Sequence, residues 1–157
     1  MAVLFTQTLF TPTKVWNRTR QTTLAIALAV ADTHWTRLRG LLGQNLDDFR
    51  NGYGLWIVPC HGVHTLGMGF AIDVVYLDTS LTVVHVEHEL RPWRFAAVRM
   101  QSSSVLELPS GTAAQTKTEV GDRIEITPQG IAIQEVASEQ SAYKRITPET
   151  DVRVQPA

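Results

Sequence analysis

The sequence predicts a mainly β (α+β) fold: a small mixed or antiparallel barrel-like sheet with one packed helix near residues 33–43. Three observations predict it. Short runs of β-branched and aromatic residues recur between Gly, Pro, Asn and Ser breaks. Only one segment carries helical spacing, through Trp35, Leu38, Leu41 and Leu42. The strand–helix–strand alternation of a doubly wound parallel sheet is missing.

A chain of 157 residues suits one domain with a sizeable core. Hydrophobic residues at 44% and charged residues at 18% fit a folded globular protein. A formal net charge of −1 offers no basic field for a phosphate backbone, so nucleic acid is not an expected partner. A single cysteine excludes an internal disulfide. No apolar run reaches the roughly 18 residues of a membrane span.

Residues 1–21 read as an irregular lead-in with one short strand at most, residues 22–127 as a single β-rich domain, and residues 128–157 as a polar, partly disordered tail. Within the domain, 22–31 alternates strictly, with Leu24, Ile26, Leu28 and Val30 on one side and alanines on the other, which predicts one strand. The same run follows Lys14, Arg18 and Arg20 and imitates a secretory hydrophobic segment, although a cleaved peptide has no need of a two-residue period. The plain expectation is a cytoplasmic protein, with export to the cell envelope as the alternative.

Asp32 or Thr33 can cap the helix, Gly40 inside it costs about 1 kcal/mol against alanine, and Gly43 ends it. Residues 47–50 form a short helical turn, and Asn51-Gly52 a turn before the strand Tyr53–Val58, stopped by Pro59. Ile72–Asp78 is a strand, Thr79-Ser80 a turn and Leu81–His88 its hairpin partner. Arg91–Arg94 is a loop, Val105–Leu108 a strand, Thr112–Thr118 a helical turn, Val120–Asp122 a turn, and Arg123–Thr127 the last strand.

Several of these pieces coincide with a known family. Arg37-Leu-Arg-Gly-Leu-Leu-Gly43 resembles its Arg-x-x-Gly-Leu-Met-Gly helix motif. Gly54-Leu-Trp-Ile57 is similar to its glycine-led strand, and Ile72–Asp78 to its Leu-Asp strand. Val105–Leu108 with Gly111, then Val120-Gly121-Asp122, resembles its closing pattern. The family is the bacterial and archaeal one catalogued as domain of unknown function 192, or the uncharacterised ACR family. The resemblance implies a compact, mostly β domain with one packed helix and no established activity; many relatives are exported or sit in the cell envelope. Where the family has Trp-Met-x-Asn-Thr, this chain has His64-Thr-Leu-Gly-Met68, so it reads as a variant branch.

The stretch Pro59–Asp73 concentrates the residues suited to chemistry. Cys60, His61 and His64 are borderline metal ligands that would suit zinc, or copper(I) if Met68 joined them; His85 or His88 would have to complete a structural site. Otherwise no cofactor is expected. Cys60 as nucleophile, His64 or His61 as base and Asp73 as orienting acid form the catalytic alternative, although no helix start lies at Cys60 to activate its thiol. Asp73, at the start of a buried strand, needs a donor, and Arg37 is the expected one. Trp93 and Arg94 could cover a ligand or seal one end of the sheet. Glu107 alternates with Leu106 and Leu108 and is expected to face solvent.

The leading expectation is a non-enzymatic domain that binds a small ligand or a protein partner, with Arg37, His64, Met68, Asp73 and Trp93 as binding residues. The alternatives are a metal- or thiol-dependent enzyme using Cys60, His64 and Asp73, and a cell-envelope accessory protein.

Overall fold

The computed structural model of the protein describes residues 13–33, Leu41, Phe49 and residues 52–128. The expected helix at 33–43, the turn at 47–50 and the tail beyond residue 128 lie outside these, apart from Thr33, Leu41 and Phe49.

The described elements, in order, are β1 (Thr13–Asn17), β2 (Thr22–Ala25), β3 (Ala27–Ala31), β4 (Tyr53–Ile57), β5 (Ile72–Leu77), β6 (Val83–Leu90), β7 (Ser104–Pro109), α1 (Thr112–Gln115) and β8 (Ile124–Pro128). They form a three-stranded sheet, β2-β1-β8, and a five-stranded sheet, β3-β4-β7-β5-β6, with no closed barrel among the described residues. The pairing is mixed as expected: β3 lies parallel to β4, and every other pair is antiparallel. None of the described helices is long and apolar enough to cross a membrane.

The predicted strand 22–31 is two strands. The chain bends at Ile26, whose amide donates to the Gly52 carbonyl at 2.8 Å. The bend breaks the alternation, so Ala25 and Leu28 both face the same core, while Ile26 and Val30 stay exposed. β2 then pairs with β1 in the small sheet and β3 with β4 in the large one. Alternation read as one continuous period could not show this exchange of sheets.

Both faces of the large sheet are covered. One packs against the small sheet through Val15, Leu24, Leu28, Val75, Leu77, Leu106, Leu108 and Ile124. The other, here called the first face, carries Leu55, Ile57, Ile72, Val74, Tyr76 and Val105 and is capped by Leu41, Phe49, Val63 and Met68. β5 is therefore buried along its whole length and apolar at every position but one, as a strand between two cores must be. The exception is Asp73.

Candidate functional site

Asp73 pairs with Leu108 in the sheet, a residue of the core shared with the small sheet. Its Oδ1 accepts the Glu89 amide at 2.9 Å and its Oδ2 the Ala113 amide at 2.8 Å. The carboxylate thus ties the irregular end of β6, where Glu89 has φ 51°, and the start of α1 to β5. Arg37, the donor expected from the sequence, lies outside the described residues.

Cys60, His61, His64 and Met68 belong to the crossover between β4 and β5. Met68 is buried in the core of the first face, against which Cys60 packs in part. The Cys60 thiol donates to the Gly62 carbonyl at 3.1 Å. His61 is exposed, and His64 stacks edge-on against Phe95 at 6.1 Å between centroids. Asp73 is engaged instead by the Glu89 and Ala113 backbone amides. Among the described residues no three His, Cys, Asp or Glu side chains form a group able to hold a metal ion.

A different cluster lies on the first face. Strand register sets Leu55, Glu107, Val74 and Glu87 in one row across β4, β7, β5 and β6, and Ile57, Val105, Tyr76 and His85 in the next. Glu107 does point away from Leu106 and Leu108, as its alternation predicts. It does not reach solvent, because that face is covered too: the residue is 2% exposed. Burial alone pushes its carboxyl up to about 8, so it is mostly protonated at neutral pH. One of its oxygens, Oε2, has no hydrogen-bond partner among the described residues.

Tyr76 stands in the adjacent row, its hydroxyl donating to the Ala97 carbonyl at 3.3 Å. Its phenol is raised to about 12, first by burial, then by the charges of Glu87, Cys60 and Glu107 against the opposing effect of Arg99. His85 packs against the Tyr76 ring at 5.5 Å. Arg99 Nη2 lies 3.1 Å from His85 Nε2; arginine cannot accept, so that nitrogen accepts and a neutral ring carries its proton on Nδ1. Glu87 sits 3.4 Å from the same nitrogen, placed to pair with the ring when it is protonated.

Glu107 is not alone in lacking a partner. Arg99 Nε and His64 Nδ1 are also buried without one among the described residues. Trp56 Nε1 and Ser104 Oγ share that condition, but their residues pair with Leu106 and Leu77 of the other face. Of this cluster the sequence singled out only His64, with His85 as a distant metal ligand. Tyr76, Glu87 and Arg99 carried no motif. The signal that could have placed Glu107 was β5, apolar on both faces next to it.

The loops over this face are joined by their backbones. Thr65 donates to Arg94 O and accepts from Trp93 N, Ala96 donates to Val63 O, Arg99 to His61 O and Cys60 to Ser103 O, all within 3.0 Å. The 60–73 segment and the Trp93 loop thus run side by side.

Residues 15–126 match the family described as uncharacterized ACR, domain of unknown function 192. A UPF0127 protein of Thermococcus sibiricus is 31% identical over 114 residues, 69% of this chain and 71% of that protein. A UPF0127 protein of Pyrococcus abyssi is 41% identical over 63 residues, 40% of this chain and 53% of that protein. In three dimensions the chain is similar to a crystal structure of a protein of unknown function from Novosphingobium aromaticivorans, with a TM-score of 0.64, 15% identity, and coverage of 80% of this chain and 91% of that one. At that identity the likeness shows the fold alone. The match over most of the β-rich region and the Thermococcus relative agree: the chain belongs to the uncharacterized ACR family, domain of unknown function 192.

Proposed function

We propose that the protein is a binding domain for a small polar anion, held on the first face of the large sheet beneath the paired loops. The observation that carries this reading is Glu107: a carboxyl 2% exposed with an oxygen that no group among the described residues answers. A buried polar atom left unsatisfied costs about 1–3 kcal/mol, and such atoms concentrate where a protein receives a ligand. The orphan Nε of Arg99 adds a cationic donor on the same face. A protonated Glu107 both donates and accepts, whereas Arg99 only donates. The pair suits a molecule with an anionic group beside a hydroxyl or amine, such as a small hydroxy or amino acid. His85 and Glu87, half exposed on the edge strand β6, mark the open side. Glu107 lies two strands inward, about 10 Å at the usual strand spacing.

The test is calorimetric titration of the protein with a panel of amino acids and short hydroxy acids, repeated on Glu107→Gln and Arg99→Ala. Binding weakened by tenfold or more in both variants supports the reading. A panel that binds with no sensitivity to either substitution, or that does not bind, sinks it.

A further inference from the structure

The loop over that site, the segment after β6, presents an unusual outer surface. Trp93, Phe95, Val98 and Met100 are 66%, 74%, 64% and 78% exposed. Single exposed apolar side chains are ordinary, but four within one short segment form a patch of the kind that marks a contact surface. The backbone there is fixed: the fully buried Thr65 donates its hydroxyl to Arg91 O at 2.6 Å and accepts the Arg94 amide at 3.0 Å. The apolar side chains are thus held outward by an ordered loop.

Charge narrows the occupant. Residues 59–69 and 91–103, the two joined segments, contain Arg91, Arg94, Arg99, His61 and His64 and no Asp or Glu. Arg91 and Arg94 are exposed beside Trp93. Of the acids just before the second segment, Glu87 and Glu89 of β6, Glu87 already neighbours His85. A second copy of the chain docking by the same surface would bring its arginines against these arginines, which opposes a symmetric dimer. A ridge of Trp and Phe flanked by arginines instead matches an anionic membrane interface, where aromatic rings settle at headgroup depth and arginines meet lipid phosphates.

We propose that the Trp93–Met100 ridge seats the protein peripherally on an anionic lipid surface, with Trp93 and Phe95 entering the headgroup region and Arg91 and Arg94 contacting phosphates. The contact is reversible and salt-sensitive, because a few side chains and two charges give weak attachment.

The experiment is co-sedimentation of the full chain with vesicles of phosphatidylcholine, with or without phosphatidylglycerol, at low and high salt. The expected result is binding only to the anionic vesicles, lost at high salt, with a blue shift of tryptophan emission that Trp93→Phe removes. Arg91→Gln and Arg94→Gln should each weaken binding roughly fivefold. Trp93→Ala/Phe95→Ala should abolish it, with circular dichroism confirming that the variant folds. Absence of binding to any vesicle overturns the proposal, as does equal binding to neutral vesicles. So does self-association in sedimentation velocity that Trp93→Ala/Phe95→Ala abolishes, because the ridge would then be a protein interface.

Discussion

Glu107 and Asp73 are both buried carboxyl residues of the large sheet, and their surroundings give them opposite roles. Asp73 has each oxygen answered by a backbone amide. Asp73→Ala removes both acceptors and strands the buried Ala113 N–H and the part-buried Glu89 N–H, so it should lower unfolding free energy by about 2–4 kcal/mol in urea titration. Asp73→Asn should be nearly as damaging, because its amide NH2 would face one of those donors. Glu107 has an apolar setting that favours its neutral form, with its carboxyl raised from 4.5 to about 8. The folded state therefore holds a proton that the unfolded state releases, and stability must fall as pH rises through this window. At neutral pH the loss is on the order of 3 kcal/mol. Glu107→Gln removes the titration. The stability of the variant relative to wild type should climb between pH 5 and 8 and level off above, as read from denaturation midpoints at each pH. A constant difference across that range would show that Glu107 is not the group responsible.

At the scale of elements, the strand list was largely legible in the sequence because turn chemistry is local. Asn51-Gly52, Pro59, Thr79-Ser80, Pro109-Ser110-Gly111 and Gly121 each mark a chain reversal or break, and β4, β5, β6, β7 and β8 fall between them within a residue or two. Which sheet a strand joins, and whether its second face is covered, is not local. Ile26 looks like one more member of an alternating run, and only the Gly52 carbonyl it meets turns the chain into the other sheet. Glu107 likewise was oriented correctly by period two and misjudged for burial, since the cover on that face comes from Leu41, Phe49, Val63 and Met68, remote in sequence from β7. The candidate cluster was illegible for the same reason: Tyr76, His85, Glu87 and Glu107 are set on one face by antiparallel register, and Arg99 reaches His85 from the loop after β6, none of it through spacing. Gly54 gives a test of this close layering. A β-carbon there would stand 3.1 Å from Leu108 Cδ2 and 3.2 Å from Leu28 Cδ1, both in the core between the sheets. Gly54→Ala should cost about 1–3 kcal/mol by overpacking, and Leu108→Val in the same chain should recover part of that loss relative to the sum of the single changes.

The molecule as a whole is closed by a polar junction far from the first face. Asn17, fully buried at the end of β1, donates to Thr118 Oγ1 at 3.1 Å and to Asp122 Oδ2 at 2.9 Å, and the Glu119 amide and Arg20 Nε donate to the same carboxylate. This joins the β1–β2 turn to the approach to β8, so the small sheet is fastened at the end where its strands meet. Burial pushes the Asp122 carboxyl upward, but the bonds from Asn17, Glu119 and Arg20 outweigh it and hold it below its ordinary 3.8. A carboxyl depressed by folding contributes stability above its unfolded value and loses it as pH falls through the folded one. Glu107 acts with the reverse sign above 4.5. Together they predict a stability maximum on the acid side of neutrality, about pH 4–5, below the pH 5–8 range usual for globular proteins. Thermal midpoints measured from pH 3 to 9 check this directly. Asp122→Asn should flatten the acid limb and leave the alkaline limb intact, whereas Glu107→Gln should flatten the alkaline limb and move the maximum toward neutrality. A wild-type maximum already at pH 7 would mean that the Glu107 carboxyl is stabilised as an anion after all, and with it the donor chemistry proposed for the first face would fail.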